Sequence, residues 1–208
     1  MSVINSRKEL HFFIEADRMM NKGRFKNNLL NGLKKILLPD YIMIYLEALR
    51  KTSYYSNQKG LFNRLMANYW KLRHHRLGVK LGYDIGADAL GYGVVIGHAG
   101  TIIVGSSNRI GNYAVLHTST CISNNGKIIG DGLYLSAGVI ITSPVTLGNF
   151  ISIGANSLVN KDCLEDCVML AGNPALIKKK AEPWYLTNGE KYKSRYEMVE
   201  QRRKELGL

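Results

Sequence analysis

Residues 129–159 read IGDGLYLSAGVIITSPVTLGNFISIGANSLV. Within this stretch Ile129, Leu135, Ile141, Leu147, Ile153 and Val159 stand six residues apart. A helix repeats every 3.6 residues and a half-buried strand every two, so neither produces this series. Further back, Val104, Ile110, Leu116 and Ile122 follow the same step, as do Leu90, Ile96 and Ile102. Two phase slips separate the three series, one before Val104 and one in the loop Ser123–Lys127. Glycine directly follows the aliphatic residue at Gly91, Gly97, Gly105, Gly111, Gly130, Gly148 and Gly154.

A period of six has a direct structural reading. One short strand and a tight turn use six residues, and three such units close a triangular coil of about eighteen. Coils stack by parallel strand pairing, so the aliphatic residues form internal ladders. Small residues suit corners where the backbone turns sharply. Residues 85–175 supply about five coils, more than the three or so repeats that stability requires. A β-sandwich would instead show alternation at two and hairpin turn pairs.

The flanking segments differ. Residues 1–80 read as an α-helical domain, with apolar spacing such as Leu61, Leu65, Tyr69 and Leu72. Breaks at Asn31-Gly32, Pro39-Asp40 and Ser56–Gly60 divide it into three or four helices. The coil occupies 81–177. Residues 178–208 form a basic C-terminal tail: Ile177 to Lys180 leave the coil, Pro183 breaks the chain, and Glu190–Leu206 read as a final helix. The expected fold class is α+β.

The formal net charge is +12, unevenly distributed: +11 over residues 1–80, −3 over 81–177 and +4 over 178–208. Basic segments of this kind suit an anionic partner. The classes that fit are a phosphate-bearing cofactor, a polyanionic or lipid-linked acceptor, and a membrane surface met by the basic N-terminal helices. No nucleic-acid recognition motif is present. The N-terminus lacks the apolar stretch of a signal peptide, and the longest apolar run, Tyr41 to Leu46, is far short of a bilayer span. A soluble, cytoplasmic protein is expected. Three cysteines, Cys121, Cys163 and Cys167, are odd in number and unevenly spaced, which argues for small, buried, reduced side chains.

The repeats LGYGVV, IGHAGT, IGNYAV, IGDGLY, LGNFIS and IGANSL, closed by AGNPALIKK, resemble the hexapeptide-repeat acyltransferases. The resemblance implies a left-handed parallel β-helix, contrary to the usual right-handed crossover. It also implies acetyl-CoA as co-substrate, no metal, and a homotrimer with the site between subunits. Within that family the segment Tyr83-Asp84-Ile85, followed by Ile96-Gly97-His98-Ala99-Gly100-Thr101-Ile102-Ile103-Val104, is similar to serine acetyltransferase and its relatives in surface-polysaccharide synthesis. The family's general base falls on His98, and its supporting aspartate on Asp84. Two serine-acetyltransferase features are missing. The loop Ser123–Lys127 is short and lacks an Arg-His pair, and the Asp-Pro-Ala motif of the helical domain is missing, with Lys22-Gly23-Arg24-Phe25 standing near its place. The pattern from Asp40 to Arg50 and Tyr54-Tyr55 looks more like capsule-cluster enzymes. A sugar hydroxyl is therefore the expected acceptor, serine the alternative.

The chemistry agrees with these residue types. An alcohol attacking a thioester must lose a proton, and an imidazole titrates near working pH. A carboxylate on its other nitrogen fixes the tautomer. His117, nineteen residues after His98, falls about one coil later, and either binds substrate or caps the ladder. His74 and His75 are expected to be solvated. Ala137, Gly138 and Ala155 are the expected contacts of the pantetheine arm. Lys161, Lys178 and Lys179 either meet the coenzyme phosphates or belong to a solvated face. A γ-class carbonic anhydrase needs three converging histidines, and the coil holds His98 and His117 alone. A non-catalytic scaffold is the remaining rival.

Overall fold

The computed structural model describes residues 3–26 and 38–208; the expected break at Asn31-Gly32 lies outside them. Three helices precede the coil: α1 (Arg7–Lys22), α2 (Tyr41–Ser56) and α3 (Leu61–Leu81). Ser6 and Glu9 form a capping box that starts α1, and left-handed Gly23 ends it. The Asp40 side chain accepts from Met43 N at 3.2 Å and starts α2 just after Pro39. Gly60 and Gly82 bound α3.

The coil has three faces. One stacks β1 (Tyr83–Ile85), β3 (Ile102–Val104), β6 (Thr120–Ile122), β9 (Ile140–Ile141) and β12 (Leu158–Val159). A second stacks β4 (Arg109–Ile110), β7 (Ile128–Ile129) and β10 (Thr146–Leu147). The third stacks β2 (Val95–Ile96), β5 (Val115–Leu116), β8 (Tyr134–Leu135), β11 (Ser152–Ile153), β13 (Val168–Gly172) and β14 (Ala175–Lys180). Pairing is parallel from coil to coil, as in Leu116, Leu135, Ile153 and Leu170. All thirteen aliphatic residues of the six-spaced series point inward, none more than 3% exposed.

Four of the glycines after those residues, Gly91, Gly111, Gly130 and Gly148, serve a purpose other than sharp turning. A Cβ on Gly91 or Gly130 would lie 2.5 Å from the side-chain oxygen of Asn112 or Asn149. Asn112, Asp131, Asn149 and Asp166 form a column, each accepting a backbone N–H from the coil before it, at 3.2, 2.7, 3.0 and 2.6 Å. Glycine leaves room for this polar ladder. The left-handed corners lie elsewhere, and Tyr113, Ser119, Phe150, Asn156 and Cys167 occupy several of them.

Arg50 anchors the helices to the first coil. It is fully buried, pairs with Asp17 at 2.8 Å, and donates to the carbonyls of Leu90 and Gly91. Asp17 also accepts from Val94 N at 3.0 Å. Helix α3 differs from the expectation for an apolar stripe. The spacing of Leu61, Leu65, Tyr69 and Leu72 marks a helix, yet all four side chains are exposed. Its packed side carries Ala67, Gly78 and Leu81 instead.

Residues 177–180 do not leave the coil. After the turn at Gly172–Pro174 the chain reverses, and β14 pairs antiparallel with β13, Ile177 opposite Leu170 and Lys180 opposite Val168. The basic tail then folds back as α4 (Trp184–Thr187) and α5 (Glu190–Glu205). Trp184 Nε1 donates to the Tyr113 carbonyl at 2.8 Å. Glu200 accepts from the hydroxyls of Tyr92 and Tyr113 at 2.9 and 2.5 Å. Arg202 pairs with Glu15 of α1 at 3.1 Å. A second core of Phe12, Phe13, Tyr92, Tyr113, Trp184, Tyr185 and Val199 fills this junction. Cys163 is buried, while Cys121 and Cys167 are partly exposed; all three are free thiols.

Candidate active site

Strand alternation in β1 turns Tyr83 and Ile85 inward and leaves Asp84 exposed. His98 lies in the corner loop that joins β2 to β3, and is also exposed. Gly82, the left-handed cap of α3, holds this loop from behind. A Cβ there would lie 3.0 Å from the carbonyl carbon of Gly100, so the two backbones touch. Gly100 N donates to Leu81 O at 2.9 Å and Ile102 N to Gly82 O at 3.0 Å. The Tyr83 hydroxyl donates to the His98 carbonyl at 2.7 Å. Beside His98 the corner is open, with nothing within 4 Å of a Cβ placed on Gly97.

His117 follows β5, on the next coil. Its Nε2 lies 3.1 Å from the Tyr134 hydroxyl, and its backbone N–H donates to Leu135 O. Burial, and next the neighbouring His98, push the His117 imidazole below its usual range. The two imidazoles are thus brought together on successive coils. The same corner continues upward through a column of backbone bonds: Ser119 N to Thr101 O, Gly138 N to Thr118 O and Asn156 N to Ala137 O. Ala137 and Ala155 are exposed on it, and Gly138 is half-buried.

Asp84 and His98 are not hydrogen-bonded to each other among the described residues; Tyr83 links them through its hydroxyl and its place in β1. The Asp84 charge acts on Tyr45 of α2 and His74 of α3. His74 is not solvated as expected. Its Nε2 is buried without a partner, and its ring lies 4.7 Å from that of fully buried Tyr45. Burial lowers the His74 pKa to about 4, against the opposing pull of Asp84. His75 is exposed.

Lys161, Lys178 and Lys179 are all exposed, the last two on β14. Lys127, in the short loop, is fully buried. Its Nζ donates to Ser123 O at 2.8 Å, Ser123 Oγ at 2.9 Å, Thr142 O at 3.3 Å, and to Asn125 Oδ1. Burial pushes its pKa down.

Sequence reasoning did not foresee the groove beside Tyr134, the partner of His117. Tyr134, Ser136, Ser152, Met169, Trp184 and Asn188 are among the residues that line a cavity of about 160 Å³. Tyr134 could have been found one coil after Val115, at an outward position. The contribution of Trp184 and Asn188 had no such signal.

No family model matches the chain. Among curated proteins, the mitochondrial serine acetyltransferase 3 of Arabidopsis thaliana is 35% identical over 96 residues, 42% of this chain and 24% of that protein. The serine acetyltransferase of Haemophilus influenzae is 27% identical over 157 residues, 70% of this chain and 58% of that protein. That of Buchnera aphidicola is 27% identical over 193 residues, covering 85% and 69%. The chain spans less than two thirds of the length of the first two. Among solved structures, a serine acetyltransferase in complex with CoA matches with a TM-score of 0.57 and 22% identity, over 81% of this chain and 68% of that one. The Neisseria gonorrhoeae serine acetyltransferase matches with a TM-score of 0.62 and 19% identity, over 89% and 72%. The architecture of helices, parallel coil and C-terminal helix is thus the fold of the serine acetyltransferase structures.

Proposed function

We propose that this protein is an acetyl-CoA-dependent O-acetyltransferase in which His98 is the general base. The observation that carries this reading is the pair of imidazoles, His98 and His117, at an open corner with the small-residue column of Ala137, Gly138 and Ala155 above it. An acceptor hydroxyl at His98 gives its proton to the imidazole as it attacks the thioester carbonyl, and the thiolate of the coenzyme leaves. Asp84 favours the resulting imidazolium by its charge; hydrogen bonds of this kind tighten when substrates bind. Ala137, Gly138 and Ala155 are assigned to the pantetheine arm, and exposed Lys161, Lys178 and Lys179 to the phosphates. A homotrimer completes the site, supported by the uncovered apolar positions Ile103 and Ile140 on the outside of the first face.

For the acceptor, the relatives' names favour serine over a sugar, and with it a small-molecule substrate rather than a polysaccharide. One observation favours the sugar hydroxyl as a second reading. Lys127 is the sole cation of the Ser123–Lys127 loop, and its ammonium is consumed by oxygens of Ser123, Asn125 and Thr142, leaving no loop cation for an amino-acid carboxylate. The test is thiol release from acetyl-CoA with serine and with sugar acceptors in parallel. Turnover with serine alone defeats the sugar reading, turnover with sugars alone defeats serine. Failure of both, with no protection of the fold against heat by coenzyme A, leaves the non-catalytic scaffold.

A further inference from the structure

The outer side of α3 is built for contact. Leu61, Leu65, Leu72 and Val79 lie four and seven residues apart, and therefore on one side, 74, 60, 49 and 72% exposed. Phe62 and Tyr69 widen this stripe. The opposite side of the same helix is already packed through Ala67, Gly78 and Leu81. The helix is apolar at both poles, and the protein's own core accounts for one of them. Clustered exposed apolar side chains of this kind mark an interaction surface.

The charges beside the stripe indicate what covers it. Arg64 and Lys71 flank one edge, Arg73 and Lys80 the other, and Lys59 and Arg76 lie close by, all exposed. No Asp or Glu occurs between Glu47 and Asp84. Among the described residues none of these six cations has an acidic partner. Two copies joined by a twofold axis present the same patch to each other, which sets cation against cation along both edges. An anionic lipid surface meets both demands: apolar side chains enter the headgroup boundary while long basic ones reach the phosphates. No described helix is long and apolar enough to cross a membrane, so the contact is peripheral.

We propose that α3 docks the protein on an anionic bilayer surface, with Leu61, Leu65, Leu72 and Val79 inserted and Arg64, Lys71, Arg73 and Lys80 on lipid phosphates. This inference does not depend on the acetyltransferase reading. The test is co-sedimentation of the full chain with vesicles of phosphatidylcholine alone or with a quarter phosphatidylglycerol, at low and high salt. Binding is expected only with phosphatidylglycerol and is expected to weaken as salt rises. Arg64→Gln and Lys71→Gln should each weaken it roughly fivefold. Leu65→Ser with Leu72→Ser should abolish it while leaving the melting temperature unchanged, since both side chains are exposed. Equal binding to both vesicle types, no binding, or binding that survives these variants overturns the proposal. So does a loss of oligomeric mass in the Leu65→Ser, Leu72→Ser variant, which would assign the stripe to a second copy.

Discussion

The coil has a closed side and an open one, and they are built by opposite means. On the closed side α1, α4 and α5 cover the face of β2, β5 and β8, and buried charges there are paired: Arg50 with Asp17 and two carbonyls, Glu200 with two tyrosine hydroxyls. On the open side His98 and Asp84 are exposed, held by the backbone of a corner loop and a single tyrosine bond. Stability is concentrated where the polar groups are enclosed, and the proposed chemistry falls where they are left reachable. A change on one side should therefore leave the property of the other untouched.

The largest effect belongs to the open side. His98→Ala should lower thiol release from acetyl-CoA by about 100- to 10,000-fold, with a melting temperature equal to that of the parent. A stability loss of comparable size would break the division. On the closed side, Arg50→Met strands the Asp17 carboxylate in the core and should cost about 3–5 kcal/mol in urea unfolding. Replacing Asp17 by Leu in the same chain should return much of that loss. Glu200→Ala leaves two buried hydroxyls unpaired and should cost about 1–3 kcal/mol, with kcat unchanged.

The smallest effect sharpens the boundary between the two sides, where His74 lies. Its folded pKa, about 4, is below the ordinary 6.5 because burial disfavours the charged ring. The unfolded chain therefore takes up this proton first as pH falls. Stability is full above pH 6.5 and declines from there toward pH 4, by about 1 kcal/mol for the first unit of pH. His74→Gln should flatten that slope in a pH series of unfolding midpoints; an unchanged slope would remove His74 from the account.

Much of the coil was legible in the sequence because its repeat is local. Each of the thirteen aliphatic residues declares its direction by its distance from the last, and all thirteen are inside. Of the candidate site, the resemblance pointed to His98 and Asp84 and a spacing of about one coil to His117; the structure leaves the first two exposed and puts His117 on the coil after His98. What escaped was long-range or two-sided. Glu200 meets Tyr92 across 108 residues, and nothing periodic announces a tail that folds back. Leu61, Leu65 and Leu72 identify a helix correctly, but spacing alone does not say which pole faces the core. The glycines were legible as a pattern, but the cause of four of them, Gly91, Gly111, Gly130 and Gly148, was not: it is the Asn112 to Asp166 column one coil away.

Because His98 and His117 ride on adjacent rungs, their separation along the axis is inherited from interstrand hydrogen bonding, about 4.8 Å per step. That pitch is common to every hydrogen-bonded sheet and no side-chain replacement compresses it. On the acetyltransferase reading, a change of preferred acceptor must come from new groups planted along a fixed ruler, or from loops grown at its edges, while the ruler itself stays as it is.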